Sequence, residues 1–153
     1  GYRGVLRGTG DETVELIWKD STIETVHTYG WYLKKFVQDA KAKGAIPIIC
    51  SMIPRNQWDN SIKGDTTSKK VLKRAYNDFG KWAKEVAASE GVFFIDLNKI
   101  SADKYDALGP DEVKKLFHGD HTHTNVEGAR MNAASVAEGI RKLKDLGLNK
   151  YLK

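Results

Sequence analysis

The chain has 153 residues, 41% of them hydrophobic and 29% charged, with a formal net charge of +5. That make-up fits one ordinary globular domain over 1–153, and no apolar run is long enough to cross a bilayer as a helix, so no membrane partner is expected. Cys50 is the only cysteine, which excludes an internal disulfide. The basic balance favours polyanionic partners, but Lys and Arg are spread along the chain without a compact basic arm. Nucleic acid is therefore not expected as a partner.

The chain opens on Gly1-Tyr2-Arg3-Gly4, with neither an initiator Met nor an apolar signal segment, so a processed product or a piece of a longer protein is expected. A glycine-containing loop leads into Thr13-Val14-Glu15-Leu16-Ile17-Trp18, a short strand or irregular segment. From Glu24 to Lys43, Val26, Tyr29, Leu33, Phe36, Val37 and Ala40 recur at steps of three and four, which predicts an amphipathic helix. Gly44 is placed to end it. Residues 45–50 read as a buried strand of a parallel sheet, with Pro47 tolerable near the strand start.

Residues 51–67 form a polar loop containing Pro54, Arg55, Asn56, Trp58, Asp59 and Gly64. A second helix is predicted from Ser68 to Glu90, and Gly91 closes it. Residues 92–97 are the second clear strand. Short helices follow over 98–117, broken at Gly109-Pro110. Thr124 and Glu127 have capping-box spacing, so the last helix begins near Asn125 and turns Ala129, Ala133, Val136, Ile140 and Leu143 inward. Trp31, Tyr32 and Trp82 are expected to pack against the helices. The order helix, strand, helix, strand, helix gives an α/β class with parallel layers.

Three of the four histidines fall in His118-Gly119-Asp120-His121-Thr122-His123. Three readings of this cluster stand side by side. Asp120 can steer His123 as the acid–base pair of a hydrolase, the carboxylate fixing the imidazole tautomer. His118, Asp120, His121 and His123 can offer metal ligands, although no His-Glu-x-x-His spacing is present. The cluster can also be a polar helix entrance.

Asp120-His121-Thr122-His123-Thr124, followed by Gly128-Ala129 and a closing helix, resembles the last block of the SGNH (GDSL-type) hydrolases. The closer likeness is to rhamnogalacturonan acetylesterases, in carbohydrate esterase family twelve. The stretches 8–13, 28–33 and 50–56 look like the same family, so the resemblance runs through most of the chain.

The resemblance implies His123 as catalytic base and Asp120 as its orienting acid. It implies a three-layer α/β/α, flavodoxin-like fold with a parallel central sheet, of which the N-terminal strands are missing here. It also implies hydrolysis of acetyl esters on pectic polysaccharide, without metal or organic cofactor, at an extracellular or periplasmic location. Arg55, Asn56 and Trp58 are candidate substrate contacts, since an indole stacks on sugar faces and a guanidinium pairs with a uronate carboxylate.

The pattern departs from the family at the nucleophile. Gly-Asp occurs at Gly10-Asp11, Gly64-Asp65 and Gly119-Asp120, followed by Glu12, Thr66 and His121, so no Gly-Asp-Ser exists. The family's oxyanion-hole glycine and Gly-x-Asn-Asp block are expected before Gly1. Ser51 follows a strand and reads as its polar terminus. The chain is thus expected to carry the Asp-His half of an esterase and to be inactive alone. The alternative is a non-catalytic interaction module or half-domain, which associates with the missing segment or with a second copy.

Overall fold

The computed structural model describes residues 6–75 and 77–152; the Gly1–Gly4 start lies outside them. The chain divides into two compact units, one holding residues 6–50 and 77–94, the other residues 51–75 and 95–152.

The first unit begins with an antiparallel hairpin of β1 (Thr13–Ile17) and β2 (Ile23–His27), in register from Thr13 opposite His27 to Ile17 opposite Ile23. The helix expected from Glu24 therefore starts later, as α1 (Tyr29–Ala42). Three of the residues before it, Ile23, Thr25 and Val26, are β-branched, and the segment satisfies its backbone in the ladder with β1. Thr28 makes the switch. Its hydroxyl accepts the Trp31 N–H at 3.1 Å, capping α1, and donates to the Gly10 carbonyl at 2.6 Å. Phe36, inward by spacing, is 72% exposed.

α1 and α2 (Phe79–Ser89) end alike. Gly44 and Gly91 take positive φ of 75° and 60°. The amides after them reach back, Ala45 N–H to Ala40 and Val92 N–H to Ala87, each at 3.0–3.1 Å. This is the left-handed helix stop that glycine permits, and each time it turns the chain toward a strand. The strands are β3 (Ile48–Cys50) and β6 (Phe93–Ile95), hydrogen-bonded neighbours. Pro47 stands just ahead of β3, where its missing N–H costs no ladder bond. Val37, Ile49, Ala83, Val86 and Ala87 form this unit's core. Trp82 packs edge-on against Phe79, and Trp31 stacks on His27.

The second unit holds a short hairpin of β4 (Trp58–Asn60) and β5 (Lys70–Leu72), then α3 (Leu97–Leu108), α4 (Pro110–Lys114) and α5 (Val126–Lys142). The helix expected from Ser68 is thus a strand at its start. Its backbone is claimed from outside: the Leu72 N–H donates to Asp106 at 2.7 Å and the Ala75 N–H to Asn98 at 3.1 Å. Asp96 caps α3 by accepting the Lys99 N–H, which stops the preceding strand earlier than its apolar run suggests. Leu72, Ala102, Tyr105, Val113, Leu116 and Phe117 form the core.

α5 buries Gly128, Asn132, Ser135 and Gly139, while Ala129 and Ala133 face solvent. The fully buried positions are small or polar, while Val136, Ile140 and Leu143 are half-buried and Met131 packs against the core. Size decides at Gly139: a Cβ there would stand 2.3 Å from the Ile95 side chain. The Tyr105 hydroxyl donates to Asn132 at 3.0 Å inside this unit. Tyr105→Phe leaves that buried acceptor unpaired and is expected to lower unfolding free energy by about 1–3 kcal/mol in urea titration. An unchanged midpoint would show that the bond contributes nothing.

Candidate active site

The His118–His123 segment is a closed loop between α4 and α5. Phe117 and Thr124 form an isolated antiparallel bridge, and the His118 N–H donates to the His123 carbonyl at 2.9 Å. Gly119 takes a φ of 95°, which lets the chain reverse there.

Asp120 organises the loop. Its Oδ1 accepts the N–H of Thr122 and of His123, each at 2.7 Å. Its Oδ2 lies 2.6 Å from His123 Nδ1. An ionised carboxylate only accepts, so Nδ1 carries the proton and the neutral ring presents Nε2 as an acceptor. The His123 imidazole beside it, then the two backbone N–H groups, hold the Asp120 carboxyl far below the usual carboxylate range. The side chains of His123 and Asp120 are 76% and 47% exposed, so the pair faces solvent. The arrangement can take a proton from a hydroxyl brought to Nε2 and return it to a leaving oxygen.

Of the other sequence candidates, Asn56 reaches the loop that carries this pair. The Asn56 N–H donates to the His121 carbonyl at 2.9 Å, which fastens the 53–58 segment to the loop. Arg55, beside it, is exposed. Trp58 is half-buried against the core cluster and its indole N–H donates to Asn56 Oδ1 at 2.7 Å. Thus Asn56 meets the loop through its backbone, and Trp58 turns at least partly inward. His118 and His121 are exposed. Among the described residues, no three His, Cys, Asp or Glu side chains are grouped to hold a metal ion.

Ser51 is 2% exposed; it donates to Asp96 at 3.0 Å and accepts the Asn98 N–H at 2.8 Å. It serves as a strand terminus tied to the start of α3. The link from Asn56 to His121 joins two backbones, so no residue-type pattern announces it. The cap of α5 is Asn125 rather than Thr124, one residue from the expected capping box.

No family model matches the chain. It is 32% identical over 133 residues to a rhamnogalacturonan acetylesterase of Emericella nidulans, covering 87% of this chain and 50% of that protein. It is 30% identical to the probable rhamnogalacturonan acetylesterase YesY of Bacillus subtilis, covering 78% of this chain and 54% of that protein. A third relative, the rhamnogalacturonan acetylesterase RhgT of the same bacterium, is 28% identical, with 76% and 53% covered. The chain spans about half the length of the curated relatives it matches. Among solved structures, the Bacillus subtilis protein YxiM superposes with a TM-score of 0.60 at 22% identity, covering 73% of this chain and 30% of that one. The chain is a relative of the SGNH hydrolases, and its mixed α/β fold is of that kind.

A depressed carboxyl stabilises its loop at every pH above the ordinary carboxylate range, and that contribution is lost only as pH falls through the lowered value. Asp120 is therefore expected to stay ionised well below pH 3.8, where an unperturbed Asp is half protonated. Carbon-13 NMR of its carboxyl follows this directly. In His123→Ala the midpoint rises toward the ordinary value. A wild-type midpoint already there would dissolve the pair.

Proposed function

We propose that this chain is the acid–base portion of a rhamnogalacturonan acetylesterase-like carbohydrate esterase, which removes acetyl groups from pectic polysaccharide. The observation that carries the reading is the 2.6 Å contact between Asp120 and His123 on a solvent-facing loop. The acetylesterase names of three relatives support the reaction class. In the complete enzyme these elements belong to one domain, a three-layer α/β/α sandwich with a parallel central sheet.

The reaction runs by a Ser-His-Asp mechanism. A serine hydroxyl attacks the acetyl carbonyl while His123 Nε2 takes its proton. The tetrahedral intermediate collapses, the sugar oxygen leaves, and His123 returns the proton to it. Water, deprotonated by the same nitrogen, then releases acetate from the acyl-serine. Asp120 stays ionised and supports the imidazolium. Backbone and Asn donors outside this chain hold the oxyanion. The scheme needs neither metal nor organic cofactor.

The serine comes from a segment outside this sequence. Its three Gly-Asp pairs precede Glu12, Thr66 and His121, and Ser51 is occupied by Asp96 and Asn98. Arg55, next to the residue that fastens the loop, is suited to a galacturonate carboxylate, with Asn56 and Trp58 flanking it as substrate contacts. The +5 charge suits an acidic polymer. Such a substrate places the enzyme outside the cytoplasm, extracellular or periplasmic.

The purified chain is expected to release no acetate from an aryl ester above the buffer rate. The longer protein encoded by the natural reading frame, carrying a Gly-Asp-Ser block, is expected to do so. There His123→Ala lowers kcat by roughly 10⁴- to 10⁶-fold and Asp120→Asn by roughly 10⁴-fold. Acetate release by the short chain that vanishes in His123→Ala would overturn the divided-site reading.

A second reading, an interaction half-domain, is favoured by the hairpin tip, where the cross-strand pair Ile17 and Ile23 is 76% and 60% exposed. It predicts concentration-dependent association in light scattering, weakened by Ile17→Lys. A monomer at every concentration speaks against it.

A further inference from the structure

Every residue from His118 to His123 is exposed, so side-chain packing does not hold the acid–base pair in place. Its position depends on hydrogen bonds within the loop, from the Asn56 N–H to the His121 carbonyl, and at the loop's two ends. Those ends meet at Asn125. Its Oδ1 accepts the N–H of Glu127 at 3.1 Å and of Gly128 at 3.0 Å, closing the first turn of α5. Its Nδ2 donates to the Lys115 carbonyl at 2.7 Å, and its backbone N–H to the Leu116 carbonyl at 2.9 Å. Lys115 and Leu116 lead into the loop; Asn125 leads out of it.

A helix cap requires only the oxygen of this amide. The nitrogen does something a cap does not, because it ties the exit of the loop to its entrance. Gly128 keeps the two strands of chain that close. A Cβ there would stand 2.3 Å from the Leu116 carbonyl oxygen and 2.9 Å from Thr124 Cβ. One residue, Thr124, separates Asn125 from His123, so slack at this root passes into the imidazole.

We propose that Asn125 is a positioning residue for the Asp120–His123 pair, with Oδ1 fixing α5 and Nδ2 clamping the loop shut. This rests on reading the pair as the acid–base couple of an esterase. Once the clamp is closed, His118 N–H and the His123 carbonyl stay opposed and Asp120 Oδ2 stays in line with Nδ1. Once it opens, α5 remains capped but the pair loses its fixed separation.

Two substitutions separate the roles. Asn125→Asp keeps a good cap, favoured further by the helix dipole, and removes the donor. Asn125→Ser also caps, is too short to reach Lys115, and adds no charge. In both, helix content by circular dichroism is expected to match the parent. The low-field proton signal of His123 Nδ1–H is expected to broaden or vanish, and the Asp120 carboxyl midpoint to rise toward 3.8. Agreement between the neutral and charged variants assigns the rise to the lost donor rather than to a new charge. Parent-like signals in Asn125→Ser would overturn the proposal. Neither readout needs acetate release, so its failure and the failure of the esterase reading register separately.

Discussion

One carboxylate gathers the whole 118–123 loop. Asp120 takes two backbone N–H groups on one oxygen and the His123 ring on the other. Remove its charge and the loop loses three contacts together, because all three are donors aimed at the same anion. The acidic side chain therefore both organises the loop and holds the His123 ring. These roles support one another: whatever keeps Asp120 ionised for the backbone also keeps it ionised for the imidazole.

The rest of the second unit holds the ends of that loop. α5 approaches closely because its inward positions are Gly128, Asn132, Ser135 and Gly139, and the Tyr105–Asn132 bond pins it to α3. The 53–58 segment approaches from another side through the Asn56 N–H. Backbone groups, rather than large side chains, make most of these attachments. Such contacts fix distance well while leaving the side chains of His118, His121 and Arg55 directed outward.

Much of this was legible in the sequence where a local rule acts alone. Gly44 and Gly91 ended helices because only a residue without a side chain turns left-handed cheaply there. Asp120 and His123 could be paired because they stand three positions apart within one loop. Elements that depend on distant partners read differently. Residues 23–27 and 70–72 have spacings a helix could use, but β1, β4, Asp106 and Asn98 claim their backbones first. α5 misled for another reason: apolar periodicity locates oily faces, and this helix packs by smallness. Thr124 fits the capping pattern equally well, and the further bond that marks Asn125 goes to Lys115, ten residues away.

The openness of His123 has a consequence for what a covering surface would contribute. With its side chain 76% exposed, water surrounds the imidazole and damps the field of the neighbouring anion. A segment laid over the loop would do more than deliver a hydroxyl. By displacing solvent it would lower the local permittivity and let an unchanged 2.6 Å contact pull harder on the ring. The chemistry of the pair would thus depend on how dry its surroundings become.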